Sequence, residues 1–116
     1  MRMLIGALSV AMLAGCASSA MNEARNQPPV RVMASEKATP LVAECIQFSW
    51  QDEAVFGVDA SGYINTDKAG KMTVYTRGGH YFADLQRQGS GTSVSYYASA
   101  PDAVAMRRLA ALATCL

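Results

Sequence analysis

Apolar and polar positions change their spacing several times along the chain, and each change marks an element. Leu4 to Leu13 (LIGALSVAML) is an apolar run behind a single basic residue, Arg2. It is too short for a permanent bilayer-spanning helix, which takes about 20 apolar residues. From residue 17 to about 38 (ASSAMNEARNQPPVRVMASEKA) no period is sustained, and Pro28-Pro29 interrupts the stretch. This predicts a flexible tether with an extended patch at the prolines, and a root-mean-square reach of roughly 25–30 Å. Val30 to Met33 (VRVM) has the composition of a short strand that a partner could take up.

Helical spacing begins at Thr39. Leu41, Val42, Cys45, Ile46 and Trp50 form one apolar face, with Thr39 as the expected cap and Pro40 at the first helical position. Asp52 and Glu53 suit the negative end of a helix dipole poorly, which predicts a stop near Trp50. From Ala54 to Ala98 the pattern is strand and turn. Val55 to Val58 is a short apolar run, Asp59-Ala60-Ser61-Gly62 is turn chemistry, and Tyr63-Ile64 opens a short strand. Lys71 to Tyr75 alternates, with Met72 and Val74 on one face. Arg77-Gly78-Gly79-His80 predicts a tight hairpin, because paired glycines supply positive φ angles. His80 to Gln86 then places Tyr81, Ala83 and Leu85 on one face, with Phe82 and Asp84 on the other. After the turn Gly89-Ser90-Gly91, Thr92 to Ala98 forms the last strand, Val94 and Tyr96 sharing a face.

Pro101 and Asp102 open a closing helix. Its stripe is Ala105, Leu109, Leu112 and Leu116, joined by Val104 and Met106, with Arg107 and Arg108 on or beside the opposite face. Short connections make the sheet antiparallel. The expected fold is α+β: a helix, a three- to four-stranded antiparallel sheet and a C-terminal helix over residues 39–116, both helices on one sheet face.

The N-terminal run has a second reading. A basic start, an apolar core and a small-residue stretch are the order of a secretory signal. Leu13-Ala14-Gly15-Cys16 resembles the lipobox of bacterial lipoproteins, in which a branched apolar residue and two small ones precede an obligatory cysteine. The resemblance implies that residues 1–15 are removed, that Cys16 takes a diacylglyceryl group through its thiol, and that further acylation occurs in a Gram-negative host. More than one acyl chain gives stable anchoring, where a single chain does not. In enterobacterial lipoproteins an aspartate after the cysteine retains the protein at the inner membrane. Ala17 and Ser18 stand there instead, which implies the outer membrane, periplasmic face. Residues 16–38 become the lipidated tether.

Composition then narrows the function classes. The chain has 116 residues, room for one small domain. Removing Arg2 from the ten basic residues leaves nine, against nine acidic, so the mature chain is neutral overall. No net field recruits nucleic acid or acidic substrates. Cys45 and Cys115 are the two cysteines left in an exported domain, where disulfides form, and a Cys45–Cys115 bond is expected. The run Val42-Ala43-Glu44-Cys45-Ile46, then Trp50, the aromatic strands, Gly89-Ser90-Gly91, Tyr96-Tyr97 and a closing cysteine is similar to small disulfide-containing lipoproteins of proteobacteria. That resemblance spans roughly residues 40 to 115, implies the same disulfide and fold order, and carries over no functional residues.

No constellation of catalytic type stands out, and no catalytic residue, metal ligand set or cofactor is expected. His80 is the single histidine, and no His/Cys/carboxylate cluster has metal spacing. Ser90 lies between glycines but lacks the strand–G-x-S-x-G–helix context of a nucleophile elbow. Asp52, Glu53, Asp59 and Asp84 read as solvated charges. The aromatic residues are more suggestive: strand alternation turns Phe82 and Tyr97 away from the helices, onto an open sheet face that could contact a partner. The expected function is a non-enzymatic binding or structural lipoprotein whose sheet face or edge docks an envelope protein. An inhibitor or immunity-type lipoprotein against a cell-wall hydrolase is the alternative, and a small hydrolase using His80 or Ser90 ranks last.

Overall fold

A computed structural model describes residues 17–53 and 61–116. Residues 1–15, expected to be a signal peptide, Cys16, the run Val55 to Val58 and Asp59 lie outside the described residues. In chain order the elements are a helix α1 (17–24), β1 (Arg31–Ser35), α2 (Thr39–Gln51), β2 (Tyr63–Thr66), β3 (Met72–Tyr75), β4 (Tyr81–Gln88), β5 (Gly91–Ala98) and α3 (Ala103–Ala113). The strands form one antiparallel sheet in the order β1-β5-β4-β3-β2. The class is therefore α+β, with five strands rather than three or four.

Alternation along β3, β4 and β5 sends Val74, Ala83, Leu85, Val94 and Tyr96 to one face, where all five are fully buried. Against them α2 sets Val42, Ala43, Ile46 and Trp50, and α3 sets Leu109 and Leu112. Each large side chain in such a cluster contributes about 1.5–3 kcal/mol by leaving water. Trp50 spans the joint between layers: its indole N–H donates to the Arg108 carbonyl at 3.0 Å, and its ring meets Tyr96 edge-on at 6.4 Å. The Cys45–Cys115 disulfide ties α2 to the residues after α3, with Cα atoms 5.7 Å apart.

Several local expectations shift by a residue or a face. The N-cap position of α2 is Ala38, without a side-chain cap, and Thr39 instead shares a buried hydrogen bond with Thr92 at 3.0 Å. Leu41 faces solvent together with Phe48, seven residues on, because the buried face runs through Val42, Ala43 and Ile46. On α3, Asp102 is the N-cap, its carboxylate accepting from the Ala105 N–H at 2.7 Å. Met106 is exposed, whereas Arg108 is only 2% exposed. Arg108 places its guanidinium 5.6 Å from the Trp50 ring centroid and 5.4 Å from that of Tyr81, so aromatic faces receive a charge that the sequence pattern assigns to water.

The larger correction concerns residues 17–38, expected to be a flexible tether. Residues 17–24 are helical, with Met21 buried against Gly79, and β1 is an edge strand paired with β5 from Arg31↔Tyr96 to Ser35↔Thr92. Pro28-Pro29 lies in the crossing between them, closed by a Val30 N–H bond to the Tyr96 carbonyl at 2.8 Å. The strand-like string VRVM is thus taken up by this chain's own sheet.

Candidate functional site

The sheet face away from α2 and α3 carries two rows set by the strand register. In the first, Tyr63, Tyr75, Phe82 and Tyr97 lie opposite one another across β2, β3, β4 and β5. Tyr63 and Tyr75 pack with ring centroids 5.4 Å apart, and Phe82 and Tyr97 stack at 4.7 Å with planes only 9° from parallel. The second row is polar: Asn65, Thr73, Asp84 and Ser95, with Val32 of β1 at its end.

Over these rows lies the α1 end of the chain. The Arg25 guanidinium donates to both carboxylate oxygens of Asp84, at 2.7 and 2.8 Å, and to Thr73 Oγ1 at 3.2 Å. Thr73 donates in turn to Asp84 at 2.7 Å, and Lys71 Nζ stands 4.0 Å away. The same guanidinium sits 5.0 Å from the Phe82 ring centroid. Burial alone would push the Asp84 carboxyl up, but the bonds from Arg25 and Thr73 and the nearby positive charges outweigh it and hold the group below its ordinary value. Arg25 is raised, chiefly by its hydrogen bond to Asp84. Tyr97 is also raised, by burial first and by the Asp84 charge second, against the opposing charge of Arg25.

This arrangement corrects the reading of Phe82 and Asp84. Phe82 is 1% exposed, so it is no open contact residue; Tyr97 is half-buried beside it. Asp84 is a buried ion-pair partner rather than a solvated charge. The signal that a sequence could have offered is weak, because Arg25 and Asp84 are 59 positions apart. At the β1 edge Val30 is 52% and Val32 61% exposed, next to Tyr97 and Ser95, with Arg31 exposed between them.

The other residues weighed for chemistry are not brought together. His80 is exposed at the β3–β4 connection and contacts Ser99, while Ser90 is in the β4–β5 turn at the far end of the eight-residue β4. Those ends are roughly 25 Å apart at strand spacing. Asp52 and Glu53 come directly after α2, on the other side of the sheet from Asp84. Glu53 is buried, and neither carboxylate oxygen has a hydrogen-bond partner among the described residues. Among the described residues no group of three or more His, Cys, Asp or Glu could hold a metal ion, and no helix is long and apolar enough to cross a membrane. A hollow of about 510 Å³ lies between the start of α2 and the β4–β5 turn, with Thr39, Pro40, Met72, Arg87 and Ser90 on its walls. A smaller one of about 250 Å³ lies under α1, between Ala17, Ser18, Met21, Asn65 and Tyr75.

Comparison of the chain with protein-family models, curated proteins and solved structures finds no match.

Proposed function

We propose that the chain is a lipoprotein of the bacterial outer membrane, lipidated at Cys16 and facing the periplasm, whose domain is a non-enzymatic binding module. The lipobox string Leu13-Ala14-Gly15-Cys16 supports the anchor, and the Cys45–Cys115 bond fits an oxidising compartment. For binding, the observation that carries the reading is the β1 edge. Among the described residues β1 pairs on one side alone, and two exposed valines, Val30 and Val32, lie along its free edge. An edge of this kind accepts an added strand from an envelope protein, the valines supplying apolar contact and the backbone supplying register.

A photoreactive residue placed at position 32 of the mature lipoprotein tests this in envelope preparations. The expected result is one dominant cross-linked envelope protein, lost when Ala34→Pro blocks strand pairing at the edge. Equal cross-linking in the Ala34→Pro form would contradict docking by strand addition. If the captured protein is a cell-wall hydrolase, its activity with and without the domain distinguishes an inhibitor from an adaptor.

A further inference from the structure

The chain leaves no slack between the lipid-bearing position and the folded domain. Ala17 already belongs to α1, and its carbonyl lies so close to Gly79 that a Cβ there would stand 2.9 Å from it. Met21, one turn later, is buried against the same glycine, and Arg25, another turn on, is locked to Asp84 and Thr73. One peptide bond fixes the Cα of residue 16 about 3.8 Å from that of Ala17. An anchor at Cys16 therefore cannot sit at the end of a tether of roughly 25 Å; it must enter the bilayer beside the start of α1.

That corner has the composition of a surface that meets headgroups. Tyr63, 42% exposed, begins β2 there, and Ser61 just before it accepts the Arg77 backbone N–H at 2.8 Å. Arg77 and His80 flank the Gly78-Gly79 turn with their side chains exposed. Tyrosine favours the membrane–water interface, and arginine is drawn to lipid phosphates. Asp102, near this end, is engaged by the Tyr81 hydroxyl and by the Ala105 N–H. The opposite end of the β4–β5 hairpin, around Gln88 and Gly89, is farthest from Ala17 along the strands.

We propose that the domain rides directly on the bilayer, with the start of α1, Tyr63 and the Arg77–His80 turn against lipid headgroups and the β4–β5 turn pointing into the periplasm. The orientation rests on the lipid-anchor reading of Cys16. It also presents the β1 edge sideways, along the membrane plane, to partners that share the membrane or approach its surface.

The test uses the natively lipidated protein in phosphatidylethanolamine–phosphatidylglycerol vesicles, with a fluorophore attached to H80C or to Q88C and a quencher on the lipid headgroups. A fixed orientation gives quenching several-fold stronger at position 80 than at position 88. Adding Met21→Asp together with Arg25→Ala, which removes both anchors of α1 and changes no strand residue, should bring the two values together while the protein stays vesicle-bound. Vesicle-bound protein with equal quenching at both positions would overturn the orientation and leave the anchor intact. Protein that does not partition into the vesicles at all would overturn the anchor reading, and the orientation with it.

Discussion

Arg25 and Asp84 clamp the start of the domain to the middle of its sheet through two parallel hydrogen bonds, at 2.7 and 2.8 Å, under which Phe82 is sealed. Both side chains are largely withdrawn from water, with 24% and 10% of their surface exposed. Removing one partner leaves the other charge unpaired, so Arg25→Ala should cost about 2 kcal/mol, at the lower end for a partly buried pair. The loss should be local. Amide exchange should rise over residues 17–25 before it rises in β4, and a double-mutant cycle with Asp84→Asn should show coupling of about 1 kcal/mol or more.

Acid should act through the same pair. The folded-state pKa of Asp84 lies below its ordinary 3.8, so its contribution is present above that value and is lost as pH falls through the lower, folded value. Denaturant melts of wild type should therefore weaken below about pH 4, and Asp84→Asn should flatten that limb. A limb unchanged by the substitution would assign acid sensitivity to other carboxylates.

Alkali meets a different group. Tyr96 is fully buried beneath the helices, and its hydroxyl donates to the Ala105 carbonyl at 2.8 Å. Burial is the largest influence on it and raises its pKa well above the ordinary 10.0. A raised folded value means that stability is fully present below about pH 10 and declines as pH climbs towards the folded pKa. Tyr96→Phe should lower stability by about 1 kcal/mol at neutral pH, through the lost hydrogen bond, and soften the alkaline decline.

The disulfide closes a loop of 70 residues. By the chain-entropy model, its removal in a Cys45→Ala/Cys115→Ala double variant should cost about 4 kcal/mol, a large share of the stability of a domain this size. Chemical denaturation with and without reductant measures the same difference.

Gly91 of β5 lies tight against the end of β1: a Cβ there would collide with the Ser35 carbonyl and stand 3.2 Å from the Glu36 Cα. Both obstacles are backbone and cannot swing aside. Gly91→Ala should destabilise by about 1–3 kcal/mol, with exchange rising first in β1. Gly89→Ala is the control for a glycine with open space around it, its cost arising from a φ of +62 alone.

Much of this architecture is legible in the sequence, and the exceptions share a cause. β3, β4, β5, α2 and α3 declare themselves because their inward positions are apolar at strand or helix spacing: Met72 and Val74, Ala83 and Leu85, Val94 and Tyr96. β1 follows that rule only at Met33, which packs against the core. Its outward residues are Val32 and Ala34, while Ser35 is buried, so its strand character comes from pairing with β5, some 60 positions away. α1 has one buried anchor, Met21, too few for a period. Both segments therefore carry the pattern of a tether, and without α1 in view Phe82 falls on an open face. Arg108 escapes the pattern because charge is a poor guide when aromatic rings line the pocket that holds it. The disulfide needs no geometry, only two cysteines left in a domain that is read as exported.

Mass spectrometry of the N-terminal peptide of the chain, purified from bacterial membranes, bears most directly on the lipid anchor. Lipidation at Cys16 predicts a mature chain that begins at that residue and carries the mass of its acyl groups. A chain that keeps residues 1–15, or one with an unmodified Cys16 thiol, would contradict it.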